Sequence, residues 1–303
     1  MDNINKYINK DVEFDIKKEY VKAKKDETFK KIIDSLPLND ETLMKYTSKI
    51  EDSTSEYKNC LECKSLAMCK NKIEGYCLLP HVEDSGLIFT YKPCKYMKKY
   101  NKDNKYKDKI TLFDIPKEIA NAKISDIYTN DKNRLEAIKW LTNFVKNYNK
   151  DQKGLFLHGN FGSGKTYLIS AAFNELAKKD IRSVIIYYPE FLRSLKASFN
   201  ASEPDEFENR FNLIKRTPLL LIDDLGAEAV TSWNRDEILG TLLQYRMQEN
   251  LTTFITSNLN IDELQIHLAN SNNKVEGLKA KRIIERIKQL TIDMEMISKN
   301  NRV

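Results

Sequence analysis

From about residue 110 onward, short apolar runs alternate with segments of helical periodicity. Five apolar runs predict strands: GLFLH at 154–158, SVIIYY at 183–188, PLLLI at 218–222, TTFIT at 252–256 and TIDMEMI at 291–297. Helices are predicted to begin between them, near Gly164, Pro189, Asp205, Arg235 and Asp262. Strand and helix alternating in this way indicates βαβ units around a largely parallel sheet. The predicted fold class is therefore α/β.

The first 55 or so residues follow a different pattern, in which apolar side chains recur at three- and four-residue steps among many charges. Phe29, Ile32, Ile33 and Leu36 are one such set. This spacing predicts short amphipathic helices. The segment NDET, which begins at Asn39, offers a helix start.

Between these two regions, residues 95–109 read KYMKKYNKDNKYKDK, with seven lysines, two aspartates and few apolar side chains. Such a composition is typical of a solvated tether between domains. The alternative is a lysine and tyrosine surface that contacts nucleic acid. The net charge of +6 over 303 residues permits a polyanionic partner but does not require one.

Hydropathy gives no sign of a membrane protein. No stretch approaches the roughly 20 apolar residues that a membrane helix needs, and the start MDNINKYINKDVEFD lacks the apolar segment of a signal peptide. A chain of 303 residues is long enough for two domains. We therefore expect a cytoplasmic protein of more than one domain, without membrane contact.

The segment GNFGSGKT at residues 159–166 matches the phosphate-binding pattern G-x-x-x-x-G-K-[ST] and lies between a predicted strand and a predicted helix. Glycines let the backbone curl so that its N–H groups point at a phosphate chain, and the helix start adds a favourable dipole. Lys165 is predicted to reach the β- and γ-phosphates of ATP, and the Thr166 hydroxyl to ligate Mg²⁺. The predicted nucleotide-binding residues are Gly159, Asn160, Phe161, Gly162, Ser163, Gly164, Lys165, Thr166, Tyr167 and Asp223.

Polar residues end the next two apolar strands. PLLLIDDLG places Asp223 and Asp224 at the carboxyl end of one strand, the edge where open α/β sheets bind ligands. We predict that Asp223 holds Mg²⁺ and that the catalytic Asp224 orients and polarises the attacking water. Asn258, at the end of TTFITSN, is predicted to bond the water or the γ-phosphate; the alternative is a cap of the following turn.

No arginine lies near this loop in the sequence, although phosphoryl transfer often uses one. Arg282 and Arg286 in LKAKRIIERIKQL are four residues apart and share one helix face. We predict that one of them acts on the nucleotide of a neighbouring subunit, and favour Arg286.

All five cysteines fall within 35 positions. In a reducing cytoplasm such clustering indicates metal ligands before disulfides. Cys60 and Cys63 have the C-x₂-C spacing of the first half of a structural Zn²⁺ site. The residues alone leave the second half open, and its candidates are Cys69, Cys77, His81 and Cys94. The alternative to a metal site is a set of small buried apolar side chains.

Taken together, the GNFGSGKT loop, LLLIDDLG, TTFITSN and AKRIIERI resemble the AAA+ helicase loaders of bacteria, of the DnaI and DnaC type. The segment IPKEIANAKISDI at 115–127 is similar to the beginning of the DnaI ATPase domain. The resemblance implies a helical, zinc-binding and helicase-interacting domain over residues 1–97, a charged linker over 98–112 and an AAA+ ATPase domain over 113–303. It also favours Cys60, Cys63, Cys77 and Cys94 as the Zn²⁺ ligands.

The function that this resemblance implies is that of an ATP-dependent loader, with slow and switch-like hydrolysis. Such a loader binds the hexameric replicative DNA helicase and helps place it on single-stranded DNA during replication initiation or restart. Further partners implied are other primosome proteins and a second copy of the chain, joined through the ATPase domain. The alternative functions are an AAA+ DNA-bound adaptor of the transposition-regulator type and a metabolic P-loop kinase.

Overall fold

The computed structural model describes residues 15–83, 86–198, 204–270 and 273–300. Most of the amino-terminal segment on which the absence of a signal peptide was argued lies outside these ranges. The chain divides into two compact units, with the division between Lys105 and Tyr106. None of the helices in the described ranges is both long and apolar enough to cross a bilayer.

From residue 15 onward, the described part of the first unit starts with four helices. They are α1 (residues 15–23), α2 (Glu27–Asp34), α3 (Asp40–Met44) and α4 (Thr47–Glu62). Asn39 caps α3 by accepting a hydrogen bond of 2.9 Å from the Thr42 N–H, so the helix start predicted there is confirmed. The apolar positions predicted from periodicity face a shared core that includes Phe29, Ile33 and Ile50.

An antiparallel hairpin follows these helices, and the cysteine-rich composition did not predict it. Its strands are β1 (Tyr76–Glu83) and β2 (Gly86–Pro93). Leu87 of β2 joins the core of the helices, so a hydrophobic core and not only a metal can stabilise this region. The unit is therefore helical with an added hairpin.

The lysine-rich segment predicted as a linker has regular structure. Its residues form helix α5 (Lys95–Asn104), a 3₁₀ turn (Lys105–Lys109) and the beginning of strand β3 (Ile110–Phe113). Lysine is a good helix former when its ammonium remains in water, which explains how so polar a stretch adopts a helix.

The second unit is built on a six-stranded sheet in which every described pairing is parallel. The strand order is β3-β5-β6-β7-β4-β8. The strands after β3 are β4 (Gly154–His158), β5 (Ser183–Tyr187), β6 (Leu219–Asp223), β7 (Thr252–Ser257) and β8 (Thr291–Glu295). The five predicted strands and the α/β fold class are thereby confirmed, within one or two residues at the ends.

Helices cover both faces of this sheet, because successive side chains of each strand point to opposite sides. Leu219 and Leu221 face a core shared with α7 and α8, whereas Leu220 and Ile222 face a core shared with α9 and α11 to α13. The helices are α6 (Lys117–Ala120), α7 (Leu135–Lys146), α8 (Lys165–Lys178), α9 (Tyr188–Ser198), α10 (Pro204–Arg216), α11 (Thr241–Gln248), α12 (Ile261–Ala269) and α13 (Lys274–Leu290).

The helix predicted near Arg235 is a π-helix, Trp233–Gly240, which leads directly into α11. Periodicity alone does not separate this wider helix from an α-helix. The topology places β7 between β6 and β4, so the carboxyl ends of these three strands are neighbours. The polar residues that follow them must therefore lie close together.

Candidate functional site

The loop after β4 has a backbone that only glycine tolerates at several positions. Gly159, Gly162 and Gly164 have φ values of 139°, 70° and 88°. A Cβ at Gly159 would lie 2.2 Å from the carbonyl oxygen of Met296, so the loop also packs too closely against the chain after β8 for a side chain. Gly164 is the N-cap of α8, which places the loop at a helix N-terminus.

Lys165 connects the loop to the two polar strand ends. It is buried, with an exposed fraction of 7%, and its ammonium donates to the carbonyl oxygens of Gly159 and Asn160 and to Oδ1 of Asn258, each at 2.9 Å. The Asn258 amide in turn donates to Oδ1 of Asp224 at 2.6 Å. The residues predicted from three separate motifs therefore form one hydrogen-bonded chain.

Asp223 and Thr166 form a second pair in the same place. The Thr166 hydroxyl donates to Oδ1 of Asp223 at 2.5 Å, and the Thr256 hydroxyl donates to the same oxygen at 2.6 Å. Burial raises the pKa of the Asp223 carboxyl, while these two hydrogen bonds act in the opposite direction. A carboxylate and a hydroxyl held side by side match the oxygen ligands that Mg²⁺ prefers.

Asp224 has a left-handed backbone, with φ of 59°. Its N–H donates to the Thr256 hydroxyl at 2.9 Å, which fixes this conformation at the end of β6. Left-handed backbone at a residue other than glycine is uncommon and is often found at functional sites. The turn directs consecutive carboxylates to different neighbours, Asp223 to Thr166 and Asp224 to Asn258.

The remaining predicted loop residues have mixed surroundings. Asn160 holds the chain after β8, because its side chain donates to the Ser298 carbonyl at 2.6 Å and accepts from the Ser298 N–H at 3.0 Å. The Ser163 hydroxyl donates to the Asn160 carbonyl at 2.9 Å. Phe161 is 71% exposed, and the Tyr167 hydroxyl accepts from the Lys123 N–H at 3.3 Å.

A cavity of about 610 Å³ opens above these side chains. Its polar wall includes Lys165, Asp223 and Asp224, and its apolar wall comes from the segment before α7. That apolar wall contains Ile115, Pro116, Ile119, Ile127 and Tyr128. Phosphate-binding groups on one side and apolar side chains on the other suit a nucleotide, which has a charged chain and a flat base.

Arg134 also lines this cavity, although the sequence predicted no arginine beside the loop. A Cβ at Gly164 would lie 3.1 Å from its Nη2 atom. Arg134 precedes Lys165 by about 30 residues, and the packing of α7 on α8 brings it to the site. The only signal in the sequence is an arginine at the start of the amphipathic helix α7.

Arg286 lies elsewhere in this unit. It does not line the cavity, and its Nη1 atom donates to the carbonyl oxygen of Gly240 at 3.1 Å, at the end of the π-helix. Burial lowers the pKa of its guanidinium, and the neighbouring Arg282 acts in the same direction. The structure therefore does not bring Arg286 to the nucleotide site of its own subunit.

The cysteines lie together in the first unit. Cys60, Cys63, Cys69 and Cys94 line one cavity of about 310 Å³. Cys77 is buried next to them: burial raises the pKa of its thiol to about 12, and nearby Cys60, Glu56 and Cys94 add to this shift. His81, in contrast, contacts Thr90 across the hairpin, at 3.4 Å, and does not line the cavity.

All five thiols are free. Within the described ranges, no group of three or more His, Cys, Asp or Glu side chains is arranged to hold a metal ion. Three sulfur atoms accept hydrogen bonds: Cys60 from the Asn71 amide at 3.3 Å, Cys69 from the Gly75 N–H at 3.2 Å and Cys94 from the Met97 N–H at 3.4 Å. Hydrogen-bond donors to sulfur are common around metal-binding cysteines. The predicted Zn²⁺ site is nevertheless not confirmed.

Residues 91–298 match the family model described as AFG1-like ATPase. The replicative helicase loader DnaI of Bacillus subtilis (strain 168) is 35% identical over 268 residues, which cover 88% of this chain and 85% of that protein. The match is longer than the second unit and so extends into the first.

Two solved structures are also similar. A crystal structure of DnaI has a TM-score of 0.57 and 44% identity, and covers 65% of this chain and 100% of that chain. A crystal structure from Streptococcus pyogenes serotype M3 has a TM-score of 0.55 and 33% identity, and covers 66% of this chain and 100% of that chain.

The position of Lys165 leads to a direct prediction. Replacing it in Lys165→Ala removes the ammonium that would contact the phosphates, and a charge-assisted contact of this kind corresponds to roughly 10- to 150-fold in affinity. We expect ATP affinity to fall by such a factor in a fluorescent-nucleotide titration. The matched control is Lys139→Ala, at an exposed position on α7. Affinity equal to that of the control would remove Lys165 from the nucleotide site.

Proposed function

Because the chain belongs to the AFG1-like ATPases over residues 91–298 and to the family of the replicative helicase loader DnaI, we propose that it is an ATP-dependent helicase loader. It binds the replicative DNA helicase and helps place it on single-stranded DNA during replication initiation or restart. The observation that carries this proposal is the similarity to a named loader over both units, supported by the cavity in the second unit that the GNFGSGKT loop and the two aspartates line. Other primosome proteins are further partners.

ATP hydrolysis is the chemistry that the nucleotide site would perform. Thr166 and Asp223 would hold Mg²⁺, which neutralises charge on the phosphates when bound. Lys165 contacts the β- and γ-phosphates. Asp224 orients the attacking water and accepts its proton, while the Asn258 amide fixes the Asp224 carboxylate.

The same hydrogen bonds give the site a way to respond to nucleotide. Lys165 is bonded to two loop carbonyls and to Asn258, and a γ-phosphate would compete for its ammonium. Losing Lys165 frees Asn258, whose amide also holds Asp224. Nucleotide binding would therefore change strand β7 and strand β6 together, which suits a slow switch better than fast turnover.

The first unit is proposed to bind the helicase. Its side chains Tyr57 and Leu61 are 38% and 67% exposed, and their spacing of four residues places them on one face of α4. Met68, in the short 3₁₀ helix beyond, is 57% exposed. Exposed apolar side chains that lie close together are typical of protein interfaces.

Single-stranded DNA is the second proposed partner, and α5 offers a surface for it. Lys95, Lys98, Lys99 and Lys102 follow helical spacing and so share an arc of about 100°. All four are exposed, and in the part of the chain that the structure describes none forms an ion pair with a carboxylate. Phosphates of a single strand would neutralise this lysine face.

Salt dependence tests the lysine face. Replacing these four lysines by glutamine removes up to four phosphate contacts, and each contact to a single strand contributes about 0.7 to the slope of log affinity against log salt. We therefore expect the slope for single-stranded DNA to decrease by about 2 to 3 units. The control replaces Lys17, Lys18, Lys22 and Lys25, which are exposed and change the net charge equally. Equal slopes in the two variants would exclude this surface.

Zn²⁺ is proposed for the first unit, held by Cys60, Cys63, Cys77 and Cys94. Cys60, Cys63 and Cys94 line one cavity, which Cys69 also lines, and Cys77 lies close to Cys60 and Cys94; the last observation is what supports Cys77 as the fourth ligand. The Asn71 amide bonds to the Cys60 sulfur and to the Tyr76 carbonyl, so it links the end of α4 to the start of β1. Bound Zn²⁺ would crosslink the same elements and stabilise them.

Metal analysis distinguishes the proposed ligands from Cys69. We expect about one Zn²⁺ per chain in protein purified without added zinc, because structural sites of this class bind very tightly. Cys63→Ser should lose most of the metal, whereas Cys69→Ser should retain it. Less than about half an equivalent in the wild type, or equal loss in both variants, would contradict the proposed ligand set.

Arg286 is proposed to act across an interface between two copies of the chain. Arg286 is half-buried and does not line the nucleotide cavity of its own subunit. Both properties are required of a residue that reaches the nucleotide bound to a second copy of the chain. Its bond to Gly240 connects it to the π-helix, which leads into α11. An arginine supplied in this way stabilises charge that develops on the γ-phosphate.

A loading assay with mixed variants tests both this residue and the proposed function. Wild-type protein with ATP should place the hexameric helicase on a closed circle of single-stranded DNA. Arg286→Ala should bind ATP normally as a monomer yet lose stimulated hydrolysis and loading, by up to roughly 10³- to 10⁵-fold where chemistry limits the rate.

Mixing Arg286→Ala with Lys165→Ala should restore part of the activity. A mixed interface can combine the intact loop of one variant with the intact arginine of the other. If Arg286→Ala alone loads helicase like the wild type, Arg286 is not the interfacial arginine, and Arg282 is tested next. If the wild type does not load helicase, the proposed function is wrong.

A further inference from the structure

Arg134 is a buried cation on the wall of the nucleotide cavity. Its exposed fraction is 3%, although it lines the cavity together with Gly164 and Lys165. The 3.1 Å separation between its Nη2 atom and a Cβ built on Gly164 places the guanidinium beside the N-terminus of α8. Arg134 lies outside the phosphate-binding pattern at residues 159–166.

The guanidinium has few partners within the protein. Its Nε atom has no hydrogen bond, and Nη1 makes only a long bond of 3.4 Å to the Tyr128 carbonyl. The nearby Asp131 carboxylate accepts from the Ser298 hydroxyl at 2.7 Å and from the Asn133 N–H at 3.0 Å. Asp131 attracts the guanidinium electrostatically but forms no ion pair with it, and no other described carboxylate forms one.

Two other buried arginines show how this chain satisfies a guanidinium that has a structural role. Arg246 is fully buried and donates to five backbone carbonyls and to the Thr253 hydroxyl. Arg235 forms ion pairs with Asp236 and Glu276. Arg134 is nearly as buried as these two, but it has one long bond to a backbone carbonyl and no ion pair with a carboxylate among the described side chains.

A buried cation without an ion-paired carboxylate destabilises a fold, because it loses its hydration and recovers only part of that free energy from more distant charges. Because this guanidinium lines a ligand cavity, an anionic group of the ligand can supply the missing ion pair. Backbone N–H groups of this loop type hold the α- and β-phosphates of a nucleotide. A guanidinium beside Gly164 is close to that part of the phosphate chain.

We propose that Arg134 is a nucleotide-binding residue whose guanidinium donates hydrogen bonds to the α- or β-phosphate, which ATP and ADP share. This inference rests on the proposed function only in taking ATP as the ligand. It gives the site a second cation with a role different from that of Lys165. Lys165 contacts the γ-phosphate as well as the β-phosphate and so favours ATP over ADP, whereas Arg134 contacts only phosphates that both nucleotides carry. Arg134 would therefore keep the protein occupied after hydrolysis.

The test replaces Arg134 by methionine, which fills similar volume without charge. We expect Arg134→Met to lose affinity for ATP and ADP by a similar factor of roughly 10 to 150, the range for a charge-assisted hydrogen bond. The melting temperature without nucleotide should be unchanged or higher, because an unpaired buried charge has been removed. The increase in melting temperature on adding ADP should be lost. Arg134→Lys, which keeps the charge without the planar fork, should have intermediate affinity.

Two control variants define the comparison. Arg182→Met, at an exposed position, should change neither nucleotide affinity nor melting temperature. Arg246→Met should lower the melting temperature without nucleotide, because it leaves buried carbonyls unpaired.

Several results would overturn the inference. One is an affinity of Arg134→Met for ADP equal to that of the wild type, and another is an affinity that falls for ATP alone. A third is a lower melting temperature without nucleotide together with a normal increase on adding ADP. Failure of Arg134→Met to fold would also contradict it, because the guanidinium would then be needed by the empty fold. If the wild type bound neither nucleotide, the proposed function itself would be wrong.

Discussion

The placement of β7 between β4 and β6 is the constraint on which the nucleotide site depends. Parallel strands end at the same edge of a sheet, so this order brings the residues after three strands within hydrogen-bond distance. Lys165 follows β4, Asp224 follows β6 and Asn258 follows β7, and the three form one chain of hydrogen bonds. The apolar cores on both faces of the sheet hold these strands in place, and the site takes its geometry from them.

The buried charges explain how one domain can be both stable and responsive. Arg246 is saturated with carbonyl acceptors and ties α10 to the start of β7. Around the cavity the bonding differs, since Lys165 is bonded to groups that a phosphate would replace and the Nε atom of Arg134 has no hydrogen bond. Nucleotide phosphates would therefore pair with the cations of the cavity, while the hydrogen bonds of Arg246 would stay unchanged.

The sequence predicted much of the nucleotide-binding unit because its signals are local. Four of the five predicted strands are continuous apolar runs, and TIDMEMI alternates apolar with polar residues. The motifs also named Lys165, Asp224 and Asn258, which the structure joins by hydrogen bonds. Arg134 was missed because its approach to Gly164 depends on how α7 packs, which no local pattern encodes. The hairpin of β1 and β2 was missed for a similar reason: its side chains are mostly half-exposed and follow no clear alternation. The roles of Asp224, Asn258, Arg286 and the cysteines remain predictions.

The central claim, that the chain is an ATP-switched partner of a replicative helicase, is tested most directly by co-purification. The full chain is mixed with the replicative helicase of the same organism, with ATP and without nucleotide, and the mass of the complex is measured by light scattering after gel filtration. We expect a stable complex of the chain with the helicase hexamer, whose stability or stoichiometry changes with ATP in the wild type and does not change in Lys165→Ala. Absence of any complex under both conditions would contradict it.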